Sequence, residues 1–303
     1  MRRSLVLVLL VATACSSAAP TQTAGVPTPI ISGSSTAEPD VRDTREEPEW
    51  PGYREAIPRR PRALNRLLVD IYRRLPREID AWLADGGGLS RRRSDDVHRG
   101  ALAQQRSFRL LVRKPRLYRR VDRMLPRRIR RIVGRHIDAQ MKLSSLATPV
   151  EPPVRWKTYR PESPHALRRF YKAGQKRFDI PWNVLAAVNA VESRFGRIVG
   201  PSSAGALGPM QFMPATWDIY GRGDIMDPHD SIIAAARYLS ASGAPGNMRG
   251  ALFAYNRSDA YVDAILTYAR EIARDARNYY SYYFWEVFVR TTKGDVRLTG
   301  PGS

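Results

Sequence analysis

The sequence predicts a mainly α-helical protein, and three observations support this prediction. Apolar residues recur at the three- and four-residue spacing of a helix through most of the chain. Pro, Ser and Gly stand where helices begin or end. Strand-like residues are confined to the last part of the chain, which predicts a small C-terminal β-hairpin. With 303 residues, 43% of them hydrophobic and 26% charged, the chain can bury a sizeable core of ordinary composition.

Residues 58–147 are predicted to form amphipathic helices with arginine-rich outer faces. Two apolar stripes have helical spacing, and they consist of Leu64, Leu67, Leu68, Ile71 and Leu75, and of Leu117, Val121, Leu125, Ile129, Ile132, Val133 and Ile137. Pro76 and Pro126 are expected to end or kink helices. Between Gly52 and Ala147 there are 26 Lys and Arg against nine Asp and Glu, so this part carries most of the formal net charge of +21.

Residues 148–278 are predicted to form a second helical part after a proline-rich connector. Ser163 as the cap and Pro164 in the first turn predict a helix that runs to Phe178. Further helices are predicted at 181–194, 215–220, 230–242, 247–256 and 258–275. Residues 279–303 are predicted to form the hairpin and a tail, with the run of tyrosines after position 278 half-buried in hairpin packing.

The first 15 residues have the pattern of an export signal. Arg2 and Arg3 precede a short apolar stretch and small residues that lead to Cys15, the single cysteine of the chain. The position of Cys15 resembles a lipoprotein box, which implies lipidation there; an ordinary cleaved signal with a chance cysteine is the alternative. Residues 16–57 are rich in Ser, Thr, Pro and Glu, and they are predicted to be a disordered tether.

The basic helices allow two interpretations. Their arginines form either a solvated helix surface or an attachment surface for anionic wall polymers, acidic lipids or peptide carboxylates. Nucleic acid is excluded as a partner, because the chain has an export signal and no recognisable nucleic-acid-binding motif.

Three short motifs in the second helical part bring together residues of chemical interest. Val191-Glu192-Ser193 places a lone carboxylate at the end of an apolar helix, where burial is expected to raise its pKa. A glycine-rich loop from Gly205 to Pro214 follows, and Ala254-Tyr255-Asn256 supplies a phenol and an amide. In this order the motifs resemble those of the soluble lytic transglycosylases, relatives of goose-type lysozyme that cut peptidoglycan. The Gly-Pro-Met-Gln-Phe-Met-Pro stretch is most similar to the actinobacterial and membrane-bound branches, and the resemblance covers about 156–269.

The resemblance implies a lysozyme-like catalytic domain that follows the arginine-rich helices and precedes the hairpin. It implies that Glu192 is the catalytic acid, with no cofactor or metal, and that peptidoglycan glycan strands are the substrate. The residues that it implies for substrate binding and its support are Ser193, Ser202, Met210, Gln211, Tyr255 and Asn256. The hydroxyl of Tyr255 is expected near Glu192, and Tyr261 is a weaker candidate for the cleft.

Three other activities stay open at the level of sequence. A hydrolytic muramidase needs a second carboxylate, for which Asp218, Asp224, Asp227 and Asp230 are the available acids, although Asp227 and Asp230 have the pattern of a helix cap. A non-catalytic wall-binding module and an adaptor that recruits partners through its basic helices are the other two. The expected location is the outer face of the cytoplasmic membrane, reached through a lipid on Cys15.

Overall fold

A computed structural model of the protein describes residues 49–88, 91–154, 158–198 and 200–298, without the side chains of residues 91 and 92. Within these ranges the chain forms eleven helices and one two-stranded sheet. The first four helices are α1 (Pro61–Ala84), α2 (Arg91–Arg113), α3 (Pro115–Met124) and α4 (Arg127–Leu146). The next seven are α5 (Pro164–Phe178), α6 (Trp182–Glu192), α7 (Pro214–Tyr220), α8 (Pro228–Ala241), α9 (Met248–Tyr255), α10 (Asp259–Arg274) and α11 (Arg277–Tyr283). The predicted mainly helical fold is confirmed.

The predicted C-terminal hairpin is present but shorter than expected. Strands β1 (Val287–Thr291) and β2 (Gly294–Leu298) pair antiparallel, with Val287 opposite Leu298 and Thr291 opposite Gly294. The prediction that the tyrosines after position 278 pack in the hairpin is wrong. They form α11 and are buried in the main core, because a run of large aromatic residues can fill all sides of a short helix that is enclosed by protein.

The basic helices bury the predicted apolar stripes. Leu64, Leu68, Ile71 and Leu75 of α1 are buried. The helix continues past Pro76 to Ala84, since Ile79 and Trp82 extend the same buried stripe beyond the proline. Pro126 lies at the boundary between α3 and α4, as expected.

These helices share one hydrophobic core with the helices that follow them, whereas the hairpin packs in a smaller second cluster. Between α4 and α10, Arg135 makes two hydrogen bonds to the carboxylate of Glu271, at 2.8 and 3.1 Å. Between α4 and α11, the buried His136 accepts a hydrogen bond from Tyr282 at 2.6 Å. His136 is held in this tautomer because its Nδ1 donates to the carbonyl of Ile132 at 2.8 Å. The arginine-rich part is therefore built into the body of the protein.

The described chain starts inside the stretch that was predicted to be a tether. Trp50 and Ile57 are buried, and the indole of Trp50 donates to Asp70 of α1 at 2.9 Å. Residues 1–48, with the expected signal and Cys15, lie outside the described residues. None of the helices in the described ranges combines the length and the apolar character that crossing a bilayer requires.

Candidate active site

Glu192 is the last residue of α6, a helix enclosed on almost every side. From Val184 to Ala190 all side chains of α6 are buried, which fits its apolar sequence. Arg194 and Phe195 adopt positive φ angles of 53° and 62°, so the helix ends two residues earlier than predicted. Such angles are uncommon outside glycine and are retained where surrounding contacts fix them. The chain thus turns sharply directly after the carboxylate.

The carboxylate of Glu192 is partly buried and has one strong neighbour. Tyr261 of α10 donates a hydrogen bond from its hydroxyl to Oε1 of Glu192 at 2.6 Å. Burial raises the pKa of Glu192 to about 7, although the bond from Tyr261 acts to lower it. The C-terminal end of a helix also disfavours negative charge. Near neutral pH, Glu192 can therefore both give and take a proton.

Ser193 fixes the turn that follows Glu192. Its hydroxyl donates to the carbonyl of Pro209 at 2.5 Å and accepts from the backbone N–H of Gly196 at 2.8 Å. The side-chain amide of Asn189 donates to the same Pro209 carbonyl at 2.8 Å. Tyr171 in turn holds Asn189 through a 2.5 Å hydrogen bond. This buried network joins the end of α6 to the glycine-rich loop.

Three consecutive backbone carbonyls of that loop accept hydrogen bonds from side chains in different parts of the chain. Gly208 O accepts from the amide of Gln211 at 3.0 Å, and Met210 O accepts from the hydroxyl of Tyr255 at 2.6 Å. Pro209 O, between them, accepts from the network around Ser193. The turn requires glycine at position 208, where φ is +74° and a Cβ would lie 2.0 Å from the carbonyl oxygen of Ile225. The loop is thus held between the end of α6 and the end of α9.

Ser202 and Asn256 border the site in different ways. The hydroxyl of Ser202 accepts from the N–H groups of Ala204 and Ala206, at 3.2 and 2.9 Å, and so orders the glycine-rich loop. Asn256 directly follows α9 and is 9% exposed. Its carbonyl oxygen Oδ1 is buried and has no hydrogen-bond partner among the described residues. A buried acceptor of this kind costs free energy unless a ligand supplies a donor.

The two tyrosines of the site make different hydrogen bonds. Tyr261, the weaker candidate, makes the hydrogen bond to Glu192, whereas Tyr255 bonds to the loop backbone. Both have a pKa well above the usual value because they are buried and because Glu192 is nearby. The sequence motifs could not show which tyrosine bonds to Glu192, since this depends on how α10 packs against α6. The side chain of Met210 is fully buried in the core.

Two of the other candidate acids, Asp227 and Asp230, are engaged by neighbouring residues. Asp227 caps α8 by accepting from the N–H of Asp230 at 2.9 Å. Asp230 accepts from the N–H of Asp224 and contacts His229. Asp227, His229 and Asp230 are close enough together to hold a metal ion, but the carboxylate of Asp227 caps α8, and that of Asp230 already bonds to its neighbours. Among the described residues, burial and Tyr261 account for the pKa of Glu192 without a second carboxylate.

Comparison with known proteins agrees with this geometry. The family model of the transglycosylase SLT domain matches residues 169–277, which contain α6, the glycine-rich loop, α9 and α10. The matched stretch begins and ends later than the 156–269 expected from the motifs. The comparison with curated proteins found no match, and neither did the comparison with solved structures. Members of the matched family are lytic transglycosylases that act on peptidoglycan, and the match of residues 169–277 to the SLT domain supports a lytic transglycosylase of the lysozyme-like superfamily.

Proposed function

We propose that the protein cleaves the bond between N-acetylmuramic acid and N-acetylglucosamine in peptidoglycan and leaves a 1,6-anhydro end on the muramic acid. The observation that carries this proposal is Glu192, a carboxyl group with a pKa of about 7 and one hydrogen-bonded phenol. Such a group can act first as an acid and then as a base at the same pH.

In the first step, protonated Glu192 gives its proton to the glycosidic oxygen as the bond to C1 breaks. Positive charge then develops at C1, as in other glycoside cleavages. The 2-acetamido oxygen of the substrate is proposed to stabilise this centre. Tyr261 keeps the carboxyl group oriented throughout, since its hydroxyl is fixed on Oε1.

In the second step, ionised Glu192 removes the proton from the C6 hydroxyl of the muramic acid. The C6 oxygen bonds to C1, and the ring closes without the addition of water. Retaining and inverting hydrolases depend on a second carboxylate within about 10 Å. Asp227 caps α8 and Asp230 bonds to the N–H of Asp224, and these engagements favour the intramolecular route over hydrolysis.

The substrate would be held by polar groups that the loop and α9 provide. The unpartnered Oδ1 of Asn256 can accept from an acetamido N–H or a sugar hydroxyl. The amide of Gln211, which has φ of +51° and bonds to the adjacent backbone, presents its carbonyl in a fixed direction. Strands that lack the acetamido groups should therefore bind less well.

Product mass distinguishes the two enzymatic possibilities. Purified glycan strands are digested with the protein, and the fragments are weighed by mass spectrometry. The proposal expects muramic acid ends that are one water lighter than the reducing ends released by a hydrolase. Reducing ends alone would show that the protein is a muramidase, and intact strands would show that it only binds the wall.

We further propose that the protein works at the outer face of the cytoplasmic membrane, with a lipid on Cys15 and its basic helices against an anionic surface. Support comes from exposed arginines on α3 and α4, which include Arg116, Arg119, Arg120, Arg123, Arg127 and Arg128. Cosedimentation of the protein with anionic and with neutral vesicles tests the charge contact. Binding to anionic vesicles should weaken steeply with salt, and equal binding to both kinds would contradict it.

A further inference from the structure

A cavity lies next to the end of α6, on the side where the basic helices and the hairpin meet. Its volume is about 410 Å³, within the range of ligand sites. Val191 and Arg194, on either side of Glu192 in the sequence, contribute to its wall together with Tyr268 of α10. Tyr268 is two helical turns after Tyr261, which places the cavity about 10 Å along α10 from the hydrogen bond to Glu192.

The charges around this cavity are unequal. Four arginines line it, Arg109, Arg113, Arg194 and Arg290, against the single carboxylate of Asp295. That carboxylate is engaged, because Arg109 contacts it at 2.7 Å and Arg113 also pairs with it. Arg290 is exposed and donates to the carbonyl of Ser144 at 3.0 Å. The lining therefore has a clear excess of positive charge.

Arg194 is the group that this arrangement leaves uncompensated. Its guanidinium lies over the ring of Trp285, at 5.8 Å from the ring centroid. Among the described residues it has neither an ion pair nor a side-chain hydrogen bond. Burial, together with smaller effects of the nearby Arg197 and Arg109, lowers the pKa of Arg194 to about 10, but the group stays charged at neutral pH. A charge in such a place is costly unless an anion pairs with it.

We propose that this cavity binds a carboxylate of the peptide stem carried by the muramic acid, with Arg194 as its principal partner. This inference rests on the proposed function, since it extends the substrate from the sugar strand to the groups attached to it. A planar guanidinium can bind a carboxylate through two parallel hydrogen bonds. Most of the cavity is formed by α2, α4 and the hairpin, which lie outside the SLT domain, so these parts would set which stems are accepted.

Binding is tested with the full chain and two soluble probes, a muramyl peptide with free carboxylates and the same compound with these groups amidated. Isothermal calorimetry should give a Kd for the acid that is about tenfold or more below that of the amide. Arg194→Gln should remove the preference for the acid over the amide. Arg290→Gln, at an exposed position of the cavity wall, should reduce this preference. Arg169→Gln removes one exposed charge on α5, away from the cavity, and should leave it unchanged.

The Glu192→Gln variant separates this inference from the proposed function. It should bind the acid probe like the unmodified protein even though its cleavage of strands is strongly reduced. If the unmodified protein cleaves no strand but still prefers the acid, the proposed function fails and the carboxylate site stands. Equal affinity for acid and amide, or an unchanged preference in Arg194→Gln, would overturn the site even if strands are cleaved.

Discussion

Two opposing effects set the pKa of Glu192. Burial raises its pKa to about 7, and the hydrogen bond from Tyr261 acts in the other direction. A carboxyl group with the usual pKa would be ionised at neutral pH and could not protonate a leaving oxygen. Without the bond from Tyr261 the pKa of Glu192 would be higher, so the group would give its proton to the leaving oxygen less readily in the first step.

The pH dependence of cleavage should follow this balance. Because the proposed mechanism needs protonated Glu192 in the free protein, kcat/KM should fall as pH rises above about 7. Tyr261→Phe removes the bond that lowers the pKa of Glu192, so its alkaline limb should move to higher pH. A steady-state pH profile of both proteins checks this, with Tyr159→Phe, a change at an exposed tyrosine, as the control. A limb that stays in place or moves to lower pH would contradict the role given to Tyr261.

The same group should make the protein less stable as pH rises. Between pH 4.5, where an unperturbed Glu ionises, and about 7, the folded chain keeps a proton that the unfolded chain releases. The free energy of unfolding therefore falls with rising pH, by up to roughly 3 kcal/mol. Glu192→Gln removes this loss, so in denaturant titrations its stability relative to the unmodified protein should increase from pH 4.5 to 7. Parallel stability curves for the two proteins would show that the pKa is not raised.

At the scale of elements, the site depends on the contact between the end of α6 and the glycine-rich loop. Ser193 connects the two, because it bonds to the Pro209 carbonyl and to the Gly196 N–H. The loop is also held by Tyr255 on its other side. These bonds are buried, so the loss of one leaves polar groups unsatisfied.

Ser193→Ala should lower the free energy of unfolding by about 1–3 kcal/mol, the usual cost of unsatisfied buried groups. It should also lower kcat, because the turn after Glu192 loses its anchor. Chemical denaturation and turnover of glycan strands measure the two effects. Ser203→Ala is the matched control, since Ser203 is exposed in the same stretch of chain, and it should change neither. A variant as stable and active as the unmodified protein would show that the turn is fixed by other contacts.

Most helices could be predicted from the sequence, but some contacts and one helix could not. Helical spacing, the Ser163 cap and the Asp227 cap predicted α5 and α8 closely, since these signals are local. The partner of Glu192 was predicted less well, because Tyr261 reaches it across 69 positions of the chain. The aromatic run of α11 was assigned to the hairpin, because consecutive large residues have no period that separates a buried helix from a strand.

At the scale of the molecule, the basic helices and the SLT domain form one folded body. Arg135 and His136 of α4 bond to Glu271 and Tyr282 on the catalytic side. Burial acts to raise the pKa of Glu271, but the bonds and charge of Arg135 hold it below the usual value. The sequence could not show this packing, since an arginine-rich amphipathic helix looks the same whether its apolar face meets its own neighbours or another domain.

We therefore expect the full chain to unfold in one cooperative transition. In scanning calorimetry the calorimetric and van't Hoff enthalpies should agree. A fragment that starts at residue 148 should fail to fold, because the apolar surfaces of α10 and α11 that contact α4 would be exposed. Two separate transitions, or a stable and active fragment, would show that the basic helices form an independent unit.

The central claim, that Glu192 moves the proton in cleavage, is tested most directly by turnover of purified glycan strands with Glu192→Gln. The glutamine keeps the size and the hydrogen bond to Tyr261 but neither donates nor accepts the proton. We expect kcat to fall by about 10²–10⁴-fold, the usual share of acid–base catalysis, while the variant stays folded and is at least as stable at pH 8. Cleavage at the rate of the unmodified protein would contradict the account.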